Sequence, residues 1–239
     1  TVTEKKKIVI GSDIISPYLY KDTDGEFMGI DVEIATEALH RMGYEPEFKL
    51  IVWENKNKLL EDGEVDCIWG CFSMNGREDK YLWAGPYLYS RQMVAVRMDS
   101  EIQKLKDLTG KMIAVQETSK AEEYFLRSDF EGIPDVSLVY CFSNMDEVFA
   151  ALRKNYVEAI CGHESALISF INTAPDEYRL LDESFLYSAL GVAFDTQYDE
   201  EFVEELVKTL GDMMNDGTTA AIVGKYGLDA EKSLGRGND

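Results

Sequence analysis

Cations, histidines, cysteines and long apolar runs are all scarce in this chain. Its 239 residues carry 24 lysines and arginines against 45 acids, a formal charge of −21. Nucleic acid is gripped through lysine and arginine, so it is excluded as a partner. An anionic membrane surface would repel such a chain as well. There are two histidines and four cysteines (Cys67, Cys71, Cys141 and Cys161), none of them in a CxxC pair. That set does not make a structural zinc site, and neither metal nor cofactor is expected. Cys67, Cys141 and Cys161 stand in apolar runs and read as small buried hydrophobes. No apolar run reaches the roughly 18 residues that a membrane-crossing helix needs. The chain opens at Thr1 without methionine and without a secretory leader pattern. It is expected to be a processed or trimmed form, and the missing leader assigns no compartment.

What the chain does contain is 45% hydrophobic residues, enough for a real core in one large domain or two small ones. The stretch Asp66–Arg77 organises the rest. Cys67–Trp69 reads as a short buried strand, Gly70 lets backbone approach a ligand closely, and a polar turn then brings Arg77. A guanidinium is a planar fork suited to a carboxylate. Open α/β sheets bind ligands just past strand ends, which is where Arg77 falls.

Ile8-Val9-Ile10 reads as a buried parallel strand followed by Asp13. Ile30, Ile34, Ala38 and Met42 mark a helix with Asp31 as its N-cap and Gly43 as its stop. Glu47–Val52 reads as a strand ending at Trp53, and Met112–Val115 as another, followed by a helix that Thr118 or Ser119 caps. Ser143 to Asp146 fits a capping-box spacing, and Val157–Cys161 reads as a strand ending at Gly162-His163-Glu164. Gln92–Val96 and Ser188–Phe194 read as extended.

Two stretches align without gaps. Leu60, Gly63, Val65, Asp66, Ile68 and Gly70 fall on Leu152, Asn155, Val157, Glu158, Ile160 and Gly162. The repeat predicts two doubly wound α/β lobes, with residues 1–91 plus 192–239 in the first and 92–191 in the second. The extended stretches near residues 92 and 188 form a two-strand hinge between them. A ligand cleft between facing strand ends, closing on its ligand, is the expected consequence.

With these parts in place, the chain resembles the extracytoplasmic solute-binding proteins for polar amino acids that serve ABC importers, a family with the type II periplasmic binding protein fold. The resemblance rests on Ile8–Asp13, Phe27-Met-Gly-Ile-Asp31-Val, Leu60–Gly70 with Arg77, Trp83-Ala-Gly-Pro86-Tyr87, Leu108-Thr-Gly110-Lys111 and Asn215-Asp-Gly217-Thr. It implies that Arg77 grips a ligand carboxylate, with backbone groups of Gly70 and Phe72 completing the contact. The family usually has threonine where Phe72 stands, so a hydroxyl contact is lost here. Ser119, with Thr118 beside it, matches a hydroxyl at a helix start. Trp53 and Tyr18 match aromatic walls, and Asp13 a polar position after the first strand. An aspartate that holds the ligand ammonium is commonly found where this chain has His163, with Glu164 next. Then either Glu164 turns inward, His163 stays neutral and accepts a hydrogen bond, or the ligand is not an ordinary α-amino acid.

The resemblance implies a monomeric, non-enzymatic binding protein outside the cytoplasm, periplasmic or at the cell surface, whose partner is the membrane permease of an ABC importer. The competing reading is the ligand-sensing domain of a membrane receptor such as a histidine kinase. A third is a dehydratase acting on cyclic precursors of aromatic amino acids, with Glu164, Glu117 or His163 as acid or base. A Cys71–His163 nucleophile lacks the local signature of known cysteine enzymes. No catalytic residue is assigned, and ligand choice is left to pocket groups such as Asp13, Gln116 and Glu117.

Overall fold

The computed structural model describes residues 6–127 and 130–236; Thr1 lies outside them. The chain divides into two compact units, Thr1–Ser90 with Ser188–Asp239, and Arg91–Tyr187. In chain order the elements are β1 (Lys7–Ser12), β2 (Tyr20–Lys21), β3 (Phe27–Met28), α1 (Ile30–Arg41), β4 (Glu45–Leu50), α2 (Lys56–Glu61), β5 (Cys67–Ile68) and β6 (Leu82–Arg97). Then come β7 (Met112–Gln116), α3 (Lys120–Leu126), β8 (Leu138–Phe142), α4 (Met145–Arg153), β9 (Ala159–His163), α5 (Glu164–Ile171), β10 (Tyr178–Leu180) and β11 (Leu186–Phe194). Three helices close the chain: α6 (Glu200–Asn215), α7 (Thr218–Lys225) and α8 (Ala230–Ser233). The expected extended pieces at residues 92 and 188 belong to the two long strands β6 and β11.

Each unit follows one plan. In the first, β1 pairs in parallel with β4 on one side and β5 on the other, and β11 adds antiparallel to β5. In the second, β7 pairs in parallel with β8 and β9, and β6 adds antiparallel to β9. Strand β10 extends the second sheet beyond β6. Residues in the second sheet alternate between two cores. Met93, Ala95, Ala114 and Ile160 pack with α4 and α5 through Val148, Leu152, Leu167 and Phe170. Val94, Val96, Ile113, Val115 and Cys161 pack on the other face with Tyr124 and Phe125 of α3. A sheet covered on both faces explains why its strands read as unbroken apolar runs. In the first unit Trp53, Leu60, Val65, Ile68, Phe72 and Ala193 form one such core.

The sequence repeat has a physical content. Gly63 and Asn155 end α2 and α4 in the left-handed region, with φ of 67° and 56°. The aligned acids then perform the same task. Asp66 accepts the Val9 N–H through its side chain at 2.7 Å, and Glu158 accepts the Met112 N–H at 2.8 Å. The backbone returns the bond in both places, Asp66 N–H to Val9 O and Glu158 N–H to Met112 O. One acid in each unit therefore pins the central strand to the third strand.

Several local expectations shift. The N-cap of α1 is Gly29, not Asp31. The carbonyls of Pro17 and Tyr18 meet the N–H groups of Ile30 and Asp31, so no side-chain cap is required. Asp31 instead turns inward, accepting the Cys71 N–H at 2.7 Å and the Tyr87 hydroxyl at 2.8 Å. Asn144, not Ser143, caps α4, while Ser143 donates to Glu147 from outside the helix. The strand expected over Glu47–Val52 ends at Leu50, because Trp53 already opens a 3₁₀ turn. Strand β9 runs on to His163, two residues further than its apolar run suggests, since Gln92 of β6 pairs in register with it.

Two expectations follow. Asp66→Ala and Glu158→Ala each leave a strand N–H without its acceptor, and each should cost about 1–3 kcal/mol in urea unfolding. Glu47→Ala, which removes only an exposed ion pair with Lys7, should cost under about 1 kcal/mol. The second expectation concerns pH. Burial lifts the Asp31 carboxyl from its usual 3.8 to about 7, against the lowering effect of its bonds from Cys71 and Tyr87. The unfolded chain gives up this proton near pH 4 and the folded chain keeps it to about pH 7, so this group makes stability fall as pH rises across that window. The span corresponds to roughly 4 kcal/mol at most. Melting curves from pH 5 to 8 should show this fall in the wild type and its loss in Asp31→Asn.

Candidate ligand-binding site

In the first unit the candidate residues gather past the C-terminal ends of β1 and β5. Gly70 is required there because a Cβ would lie 1.9 Å from the Ser12 hydroxyl oxygen. What this glycine admits is thus the end of β1. Cys71 follows with φ of 50°, an uncommon conformation for a residue with a side chain. Its buried thiol is pushed well above the usual range by burial, which leaves it no nucleophile. Phe72 comes next, fully buried, with Trp53 edge-on at 5.0 Å and Tyr81 and Trp83 at 5.4 and 5.2 Å.

Arg77 does not point into solvent. It is 9% exposed, and its guanidinium carbon lies 5.0 Å from the centre of the Phe72 ring. Nη1 donates to the Ser73 carbonyl at 2.9 Å, and the Arg77 carbonyl accepts the Trp83 indole N–H at 3.0 Å. A second cation shares these rings. Lys56 is buried, with Nζ 4.9 Å from the Trp53 ring centre and 5.8 Å from that of Phe72. Ring faces offset part of the desolvation that burying such cations demands. Asp13 and Tyr18 are buried too; Tyr18 accepts the Asp31 N–H on its carbonyl and bonds the Cys71 thiol through its side chain. Gly70, Phe72, Trp53, Tyr18, Asp13 and Arg77 therefore all belong to the strand-end region of one unit.

In the second unit Thr118 has φ of 56°, which for a β-branched residue is a true outlier, and its N–H is held by Glu122. Ser119 caps α3, accepting the Glu122 N–H at 3.2 Å and donating to the Gln116 carbonyl at 2.7 Å. Its hydroxyl proton is thereby engaged within its own turn. Gln116 donates its side-chain amide to the Ser143 carbonyl at 3.2 Å. His163 ends β9 and stands at the N-cap of α5 with no side-chain capping bond, and the Gln92 amide nitrogen lies 3.2 Å from its ring nitrogens. Glu164 places its two oxygens on Arg91 at 3.0 and 2.5 Å.

Lys56, Asp31, Gln92 and Arg91 are the residues that sequence reasoning missed. Lys56 had a signal, one helical turn after Trp53 and on the same face. Gln92 and Arg91 had none, because their partners come from strand register and lie 71 and 73 residues away. Among the described residues no group of three or more His, Cys, Asp or Glu side chains could hold a metal, and no helix is long and apolar enough to cross a membrane.

Comparison with known proteins gives a consistent picture. The family described as bacterial extracellular solute-binding proteins, family 3, matches residues 8–229. The arginine-binding extracellular protein ArtP of Bacillus subtilis (strain 168) is 31% identical over 229 residues, covering 93% of this chain and 86% of that protein. The L-cystine-binding protein TcyA of the same organism is 23% identical, covering 97% of this chain and 85% of that protein. A solved ABC uptake transporter substrate-binding protein from Streptococcus pneumoniae, with bound histidine, shares the fold with a TM-score of 0.84 at 21% identity, covering 94% of each chain. With the match running from β1 to the last helices and two α/β units on one plan, the chain belongs to the bacterial extracellular solute-binding proteins, family 3.

Proposed function

We propose that this chain captures a small carboxylate-bearing solute, an amino acid or close analogue, outside the cytoplasm and delivers it as a monomer to the permease of an ABC importer. The observation that carries the reading is the Arg77 guanidinium, buried on the Phe72 ring beside Trp53 at a strand end. A cation desolvated in this way favours an anion with two oxygens, because the fork can donate in parallel to both. The relatives named for arginine and cystine support the amino-acid class. Trp53 and Tyr18 supply apolar walls, and Asp13, Gly70 and the Phe72 N–H complete the first unit's set. Thr118, Ser119, His163 and Glu164 are the second unit's candidates.

A binding role, not an enzymatic one, fits the surroundings of Glu164 and Cys71, two of the groups considered for chemistry. Both Glu164 oxygens are engaged by Arg91, and Cys71 is a buried thiol. Neither arrangement supplies the mobile proton that a dehydratase needs.

A thermal-shift screen over the L-amino acids, dicarboxylates and aromatic acids should identify a stabilising ligand. For that ligand, calorimetry should show at least about 100-fold weaker binding in Arg77→Ala, the scale of removing one partner from a buried charge pair. Arg77→Lys should recover only a part, since it keeps the charge and loses the fork. Unchanged affinity in Arg77→Ala would refute the assignment. His163→Asp tests the other end of the ligand. With an α-ammonium as the group at His163, the acid should tighten binding; with a ligand lacking an ammonium it should weaken it.

A further inference from the structure

Asp31 is a carboxylate in a place where its helix needs none. The first N–H groups of α1 are met by the carbonyls of Pro17 and Tyr18. The Asp31 side chain is nevertheless buried, and burial makes its charge expensive enough to lift its pKa to about 7. Its two oxygens meet two donors, the Cys71 N–H at 2.7 Å and the Tyr87 hydroxyl at 2.8 Å. A carboxylate offers an acceptor to each of them at once, whereas an amide offers only one oxygen. The groups facing this carboxyl are Tyr87 of β6 and Cys71, whose thiol is in turn influenced by Tyr18 and Asp13.

Cys71 is where the backbone is strained. A left-handed residue with a side chain persists only where its surroundings hold it. The charge-assisted bond to Asp31 lies on the amide of that same residue. Two of the contacts that hold Arg77 follow within two residues: the Phe72 ring under its guanidinium and the Ser73 carbonyl on its Nη1.

We propose that Asp31 is a positioning residue of the ligand site: through the Cys71 N–H it holds the Gly70–Ser73 turn in the form that seats Arg77, and through the Tyr87 hydroxyl it ties that turn to β6. The consequence for affinity rests on the reading of Arg77 as the carboxylate-holding group, but the local claim does not. Tyr87 also packs its ring on Trp69, the residue before Gly70, so the same strand supports the turn from two sides.

The test uses the full chain and two readouts that need no ligand. Hydrogen exchange is followed at the Cys71 amide, and phenylglyoxal modification at Arg77 with Arg179 of the second unit as internal reference. In Asp31→Asn, nearly isosteric and neutral, both rates should rise about fivefold or more while Arg179 is unchanged. Tyr87→Phe keeps the Asp31–Cys71 bond and removes only the tie to β6, so both rates should rise clearly less than in Asp31→Asn. Wild-type rates in Asp31→Asn would overturn the proposal. So would an equal rise in Tyr87→Phe, which would indicate general loosening of α1. Should Asp31→Asn fail to fold, by circular dichroism, the same readouts on wild type at pH 5.5 and 8.5, corrected for intrinsic reactivity at Arg179 and the Val94 amide, decide in its place. A higher corrected rate at pH 5.5 supports the tether and no change overturns it. Calorimetry with L-arginine as probe separates the two readings. Faster rates with no L-arginine binding to wild type leave the tether standing and count against the arginine ligand alone. Equal L-arginine affinity in wild type and Asp31→Asn overturns the positioning role.

Discussion

One hydrogen bond, made twice, fixes where everything else falls. Asp66 and Glu158 each accept an N–H of their unit's central strand, from Val9 or Met112, and tie it to the neighbouring strand in register. Slipping a strand by one residue would send every side chain to the opposite face of the sheet and mismatch its packing. With that register held, β1 ends at Ser12 against Gly70, and β9 runs out to His163 opposite Gln92. Both sets of candidate residues are therefore placed by strand register and strand length.

The repeat was legible because its parts are local. A leucine closes each helix, a residue tolerant of positive φ stops it, a valine enters the core, and the acid follows immediately. Arg77 and Trp53 were legible for a related reason, standing just past runs whose apolar pattern marks them as buried. What could not be read were contacts made by chain segments far apart in sequence. Asp31 and Cys71 are 40 residues apart, and nothing in the helix pattern around Asp31 distinguishes an inward acid from a cap. The distinction was made by Pro17 and Tyr18, whose carbonyls had already taken the helix N–H groups. Glu164 was expected to be a candidate for an ammonium; its neighbour in space, Arg91, became visible only with the pairing of β6 and β9.

Net charge says little about this site. The chain has an excess of 21 negative charges, yet Arg77, Lys56 and Lys120 are all buried cations at strand ends and helix starts. Many of the acids are exposed, as on α6, where they favour solubility and are screened by salt. Buried cations are screened far less, so a few of them outweigh many surface acids at short range. Each has its compensation: aromatic faces for Lys56 and Arg77, and Glu123 at 2.6 Å for Lys120.

The departures from the family pattern point in one direction. Phenylalanine stands at the position of a threonine, and His163, beside the Gln92 amide, at the position of an aspartate. Each replacement removes a polar or charged contact and supplies a ring. Rings discriminate by shape and by the faces they offer to cations, and they reject a missing or extra methylene only weakly. On the proposed reading, such a site keeps one strong directional contact, the arginine fork, and relies for the rest on how rigidly the walls are held. Rigidity at Phe72 in turn depends on a strained residue just before it. On the positioning role proposed for Asp31, the stability that this buried acid costs at neutral pH is offset by the support it gives the arginine's turn.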